Sequence, residues 1–186
     1  MASPPRLRVL GVDPGTIRTG FGVIDQDGTR LIGIAAGVLK QDERLPLHER
    51  LREIYAGLCV VIETHRPHVV AVEDIFFAKF PNAALKLGHA RGVALLAAAN
   101  AGLAVHAYPP AVVKQAVGGR GRAEKTQVAR MVGAILGWPT LPAIDATDAL
   151  AVAITHANVS KVRSVLPQTR TRQAPRLRRK RAQSAP

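Results

Sequence analysis

The stretch "RVLGVDPGTIRTGFGVIDQDGTR", residues 8–30, decides how this chain begins to fold. Its first apolar run, read as a strand over 6–12, stops on a carboxylate, Asp13. Pro14-Gly15 turns the chain at once, and a second β-rich run occupies 20–26. Asp27-Gly28 is a strong hairpin signal, and a third β-rich run follows over 30–39. Three strands in antiparallel order are therefore expected. A carboxylate that closes a strand either caps the next element or does chemistry, and the rest of the chain decides between them.

Downstream, "LPLHERLREIYAGLCVVIETH" has helical spacing, with Leu47, Leu51, Ile54, Leu58, Val61 and Ile62 on one side. "HVVAVEDI" is a nearly unbroken β-branched run, the signature of a buried central strand. A helix over 81–101, a short strand over 103–107 and a short helix over 109–117 follow. After the loop "GGRGR" come helices over 123–136 and from Asp145 to 158. A meander followed by αβαβα predicts an α/β fold: one mixed sheet, three antiparallel strands then parallel ones, flanked by helices.

The chain has 186 residues, enough for one domain with a proper core, and 47% of them are hydrophobic. Its net charge of +13 is unevenly spread: residues 159–186 hold nine Lys/Arg and no acid, whereas 1–158 hold 17 basic and 13 acidic residues. Residues 1–158 are expected to form the folded domain and 159–186 a basic, disordered tail. Such a tail suits a polyanion, nucleic acid first and an anionic membrane surface second. Cys59 is the only cysteine, which excludes an intramolecular disulfide and fits a reducing compartment. The N-terminus has no apolar stretch of signal-peptide length, and the longest greasy segment, "GVALLAAANAGLAV", falls short of a bilayer span. A soluble, cytoplasmic protein is expected.

Four carboxylates stand out. Asp13 ends strand one, Glu73 lies near the end of the central strand, and Asp145 and Asp148 share one face of a helix's first turn. Singly, each has a plain explanation: Asp145 as a helix N-cap, Glu73 as an exposed strand end. If strands one and four are neighbours, however, all four converge over one sheet edge. Four like charges so close need a cation. With oxygen donors and no Cys or His, that cation is Mg²⁺ or Mn²⁺ rather than zinc. Two such ions, roughly 4 Å apart, are suited to phosphodiester hydrolysis.

Four blocks, "GVDPGTIRTGFGVI", "VEDIFFAKFPNAALKLGHARGVAL", "VKQAVGGRGRAEKTQVARMV" and "DATDALAVAITH", together resemble the RuvC family of bacterial Holliday junction resolvases over about residues 8–158. The resemblance implies a ribonuclease-H-like fold, a homodimer, and a metal-dependent crossover junction endodeoxyribonuclease acting in DNA recombination and repair. It implies paired symmetric nicks in four-way junction DNA, two Mg²⁺ per active site with Mn²⁺ as a substitute, and the RuvA–RuvB branch-migration complex as partner. It places the metal-binding, catalytic carboxylates on Asp13, Glu73, Asp145 and Asp148. Thr147 stands where Ala is common in the family. On this basis Asp13 is a metal ligand, with Pro14-Gly15 and Gly20 letting the chain turn sharply beside it.

The resemblance also assigns DNA contacts. Phe76 matches an aromatic that meets DNA near the crossover, where stacking contributes on the order of 1–3 kcal/mol per base; Phe77 either joins it or covers the sheet edge. Lys79, Lys86 and Arg91 lie near it in sequence and could meet phosphates. Lys114, Arg120, Arg122 and Lys125 surround the Gly-rich loop, which is not a Walker A motif because no Gly-Lys-Ser/Thr follows. Lys114 and Lys125 match family lysines used in DNA binding or catalysis, and Lys125 could offset charge in the transition state. The small residues of 83–94 pack either in the core or across a dimer. The histidines read as structural or solvated: His65 and His68 straddle Pro67, and His156 lies about 16 Å along the helix from Asp145.

Three other classes compete. Actin-like ATPases share the opening "DPGT" but need two lobes and a second phosphate loop. A small pre-ribosomal-RNA nuclease should lack the Phe76 block and the Asp145/Asp148 pair. A non-catalytic DNA-structure binder would not need all four carboxylates.

Overall fold

The computed structural model describes residues 6–74, 81–119 and 124–165. Strand β1 (Leu7–Asp13) alternates its side chains strictly: Val9 packs into one core, Leu10 and Val12 into another. It lies at the centre of a five-stranded sheet ordered β3-β2-β1-β4-β5. Strands β2 (Arg18–Asp27) and β3 (Arg30–Lys40) complete the expected antiparallel meander, joined at Gly28 with φ of 57°. β4 (Val69–Glu73) and β5 (Ala104–Tyr108) extend the sheet on the other side in parallel.

β4 is apolar on both faces because both are covered. Val69 and Ala71 face one layer, Val70 and Val72 the other. On the second side lie helices α1 (Leu47–His65) and α2 (Pro81–Asn100), which bring Ile54, Leu58, Ala90 and Ala94 against Leu10, Val12 and Val72. On the first lie α3 (Pro110–Gly118), α4 (Lys125–Leu136) and α5 (Ile144–Val165). Leu10, Ile24, Ile54, Leu58, Leu150 and Ile154 are fully buried, and each contributes on the order of 1.5–3 kcal/mol.

α5 is the helix that matters for function, and glycines set its depth. A Cβ on Gly11 would run into the Ala149 carbonyl, on Gly20 into the Asp145 carbonyl, and on Gly22 into Leu150. Gly11 pairs with Gly22, so a bare patch of β1 and β2 lets the alanine-rich helix settle directly on the backbone. Gly20 therefore has a different role from the sharp turn expected of it. It sits inside β2, opposite Asp13, and makes room for the first turn of α5. The helix also runs to Val165 rather than ending at 158; Val159 still packs against the core, and the Ser160 hydroxyl donates back to the Ala157 carbonyl at 2.9 Å.

At the far end of the sheet, Asp25 is completely buried and accepts two hydrogen bonds from Arg8, at 2.7 and 2.9 Å. The His68 ring accepts the Arg8 amide just before β4, and the His65 carbonyl at the end of α1 accepts the Arg8 guanidinium, so β1 is fastened to both. Among the described residues, no helix is long and apolar enough to cross a membrane.

Candidate active site

β1 and β4 pair in parallel with Val12 beside Val72, so the next residues, Asp13 and Glu73, end their strands side by side. α5 supplies Asp145 and Asp148 from its first turn, brought down by the glycine patch. α3 and α4 close the third side with Lys114 and Lys125. The result is a cleft of about 290 Å³ lined by Asp13, Glu73, Lys114, Lys125 and Asp148, with Val113, Val128 and Ala151 as apolar wall. Asp145 stands beside it, turned to Arg18.

Burial and repulsion together set the electrostatics. Removal from water, and then the neighbouring Glu73, Asp148 and Asp145, push the Asp13 carboxyl up to about 8. Burial likewise raises Glu73; Asp148 adds to the rise, while the Asp13 hydrogen bond, Lys125 and Lys114 oppose it. Lys125 is held more firmly protonated than usual, chiefly by Asp148, whose Oδ2 lies 3.3 Å from its Nζ. Two lysines do not offset four carboxylates.

Asp145 has a cation of its own. The Arg18 Nε donates to its Oδ2 at 2.6 Å. Arg18 escapes a motif-based reading because a lone arginine at a strand start is ordinary. The retrievable signal is its phase: residues 18, 20 and 22 point to the same sheet face, the one on which α5 lies. With Asp145 on Arg18 and Asp148 on Lys125, no three Asp, Glu, His or Cys side chains among the described residues are drawn into a ready-made cage. The donor set nevertheless fits a hard divalent cation: it is all carboxylate, and removal from water together with three acidic neighbours holds Asp13 well above the usual carboxylate range.

Other expected contacts fall elsewhere. Phe76, Phe77, Lys79, Arg120 and Arg122 lie outside the described residues. Lys86 is exposed on α2, away from the cleft lining. Arg91 pairs with Asp74 at 3.0 Å and is only 23% exposed, which ties α2 to the chain leaving β4. His156 is buried, with its Nδ1 2.8 Å from the Tyr108 hydroxyl and its ring tilted by 42° against His106. Thr147 is buried too; its hydroxyl donates to the carbonyls of Pro142 and Ala143 and steadies the helix start between the two acids.

Comparison with known proteins shows the family. The family model described as crossover junction endodeoxyribonuclease RuvC matches residues 9–156. Crossover junction endodeoxyribonuclease RuvC of Citrifermentans bemidjiense is 48% identical over 162 residues, 87% of this chain and 99% of the relative. The Azorhizobium caulinodans protein of the same name is 49% identical over 82% of this chain and 90% of its own length. Among solved structures, Thermus thermophilus RuvC in complex with a Holliday junction substrate superposes with a TM-score of 0.80 at 39% identity, covering 85% of this chain and 97% of that one. The yeast mitochondrial resolvase Ydc2 shares the fold, with a TM-score of 0.62 at 13% identity. The chain belongs to the RuvC family of crossover junction endodeoxyribonucleases.

Proposed function

We propose that this protein resolves four-way (Holliday) DNA junctions by paired symmetric nicks, in recombination and repair, through two-metal-ion phosphodiester hydrolysis. The observation that carries the proposal is the convergence of Asp13, Glu73 and Asp148 with Lys114 and Lys125 on one cleft. Its similarity to a RuvC solved with a junction substrate supplies the substrate class.

Asp13, Glu73, Asp145 and Asp148 would hold two Mg²⁺, with Mn²⁺ as a substitute. Bound there, such ions would supply activation of the attacking water and stabilisation of the leaving oxygen, a hydrolysis that would give 5′-phosphate and 3′-hydroxyl ends. The protein's own side chains do the rest. Lys125, kept charged by Asp148, presents an ammonium at the cleft edge to charge building on the phosphate. Lys114 holds the strand from the α3 side. Val113, Val128 and Ala151 keep that wall apolar, which strengthens each charge interaction inside the cleft. Phe76 is proposed to stack on unpaired bases at the crossover, with Phe77, Lys79, Lys86, Arg91, Arg120 and Arg122 as further DNA contacts.

Two matched nicks call for two-fold symmetry. α2 offers a suitable face: Leu85 and Leu96 are 64% and 52% exposed, and Gly92 between them has open space where a Cβ would be. We assign this face to a homodimer contact, the basic segment 159–186 to DNA, and the RuvA–RuvB complex as the partner that delivers junctions in the cytoplasm. Two substitutions test the reading. Asp13→Asn and Glu73→Gln should each bind a synthetic junction as the wild type does and cut it no longer. Continued cutting by either would remove that residue from the metal site.

A further inference from the structure

We propose that Arg18 is a positioning residue: it competes with divalent cations for Asp145, and releases the carboxylate when a DNA phosphate engages its guanidinium. The inference rests on the cation site of the preceding section and adds a residue to it. Three observations carry it. First, the cleft is lined by Asp13, Glu73 and Asp148 but not by Asp145, the one acid of the four whose oxygen is turned to an arginine. Second, this contact is built into the fold. β2 begins at Arg18, and the missing side chain of Gly20, two residues on, lets the Asp145 backbone rest on the strand, so the helix start lies directly over the arginine. Third, the pair is short but accessible: 2.6 Å from Nε to Oδ2, with Arg18 47% and Asp145 24% exposed.

Those numbers describe a latch rather than a permanent brace. A short charge-assisted bond biases where the carboxylate sits. Exposure on both sides keeps the bond weak enough for ions to compete with it. A divalent cation at the cleft attracts Asp145, and a backbone phosphate attracts Arg18. Each event frees the other partner, so DNA binding and cation binding favour one another through the same ion pair. Lys125 on Asp148 differs, because that lysine itself lines the cleft and remains beside the reacting groups after the pair opens.

The test uses full-length protein stripped with EDTA and titrated with Mn²⁺ without DNA, free Mn²⁺ being followed by electron paramagnetic resonance. Arg18→Gln removes the competing charge and should bind Mn²⁺ about two- to fivefold tighter than wild type. Arg18→Lys, which keeps the charge, should stay close to wild type. Circular dichroism melts confirm that both variants fold. An Arg18→Gln affinity equal to wild type would overturn the competition. Junction binding in EDTA over a KCl series reads the second half: the log–log salt slope of Arg18→Gln should be smaller by about one. An unchanged slope would overturn the phosphate contact. Asp13→Asn, run beside them, separates the two levels: if it leaves Mn²⁺ binding intact, the cation site itself is misassigned.

Discussion

Replacing Asp13 by Asn should stabilise this protein in EDTA, and the gain should depend on pH in a defined way. Asp13 is half-buried next to Glu73 and within reach of Asp148 and Asp145; partial removal from water, then these neighbours, raise its carboxyl from 3.8 to about 8. Between those values the folded state keeps a proton that the unfolded chain has lost. Stability from this group is therefore fully present below the unfolded value and is lost as pH rises through the folded one. At ~1.4 kcal/mol per pH unit, the folded state is penalised by roughly 3–5 kcal/mol at neutral pH and above. Asn removes the ionisable group at nearly constant volume and can still donate to Glu73. The stability gap between Asp13→Asn and wild type should widen by about 2–3 kcal/mol from pH ~5 to ~7, and level off above pH ~8. For a chain of this size the gain at neutral pH corresponds to a rise in Tm on the order of 6–20 °C. Thermal melts in EDTA across this pH range read it directly. Adding Mg²⁺ should raise the wild-type Tm and leave the variant unmoved. A gap that does not change with pH, or a variant less stable than wild type at neutral pH in EDTA, would refute the electrostatic account of the site.

Other perturbations test the scaffold. Gly11→Ala places a methyl group against the Ala149 carbonyl and 2.8 Å from the Ala153 amide nitrogen; it should cost about 2–3 kcal/mol in urea unfolding and weaken Mn²⁺ binding, because α5 must lift. Asp25→Asn leaves the Arg8 fork half-paired at the far end of the sheet; stability should fall by about 2–4 kcal/mol while junction cleavage per folded molecule is kept. Leu96→Glu puts a charge on the exposed α2 face and should give a folded monomer by analytical ultracentrifugation; an intact dimer would move the interface elsewhere. Removing residues 166–186 deletes seven Lys/Arg and should flatten the salt dependence of junction binding, since fewer counterions are released. An unchanged slope would take that segment off the DNA.

Much of the fold is legible in the sequence because its signals are local. The Asp27-Gly28 hairpin, the apolar run of β4 and the spacing of α1 all declare themselves within a few residues, and the structure agrees with each. The carboxylates are legible for a different reason: acids at strand ends and on one helix turn are informative once β1 and β4 are neighbours, as they are. What stays hidden is contact between distant elements. Gly20 beside a Pro-Gly turn looks like part of that turn, yet it sits mid-strand, and its reason is the helix 125 residues later that needs the space. Arg18 has the same difficulty, since its partner is Asp145. Arg91 looks like a free cation until Asp74 is folded against it. The end of α5 misleads because Asn158, Val159 and Ser160 are poor helix formers, and packing carries the helix past them.

Whether these four carboxylates cut branched DNA can be tested in one experiment. End-labelled synthetic four-way junction and a matched linear duplex are each incubated with the purified protein in Mg²⁺ or EDTA. Nicks are expected at symmetric positions on two opposing strands of the junction, in Mg²⁺ only, with the duplex left whole. Cutting of the duplex at a comparable rate, or failure to cut junctions of varied sequence in both Mg²⁺ and Mn²⁺, would contradict this reading.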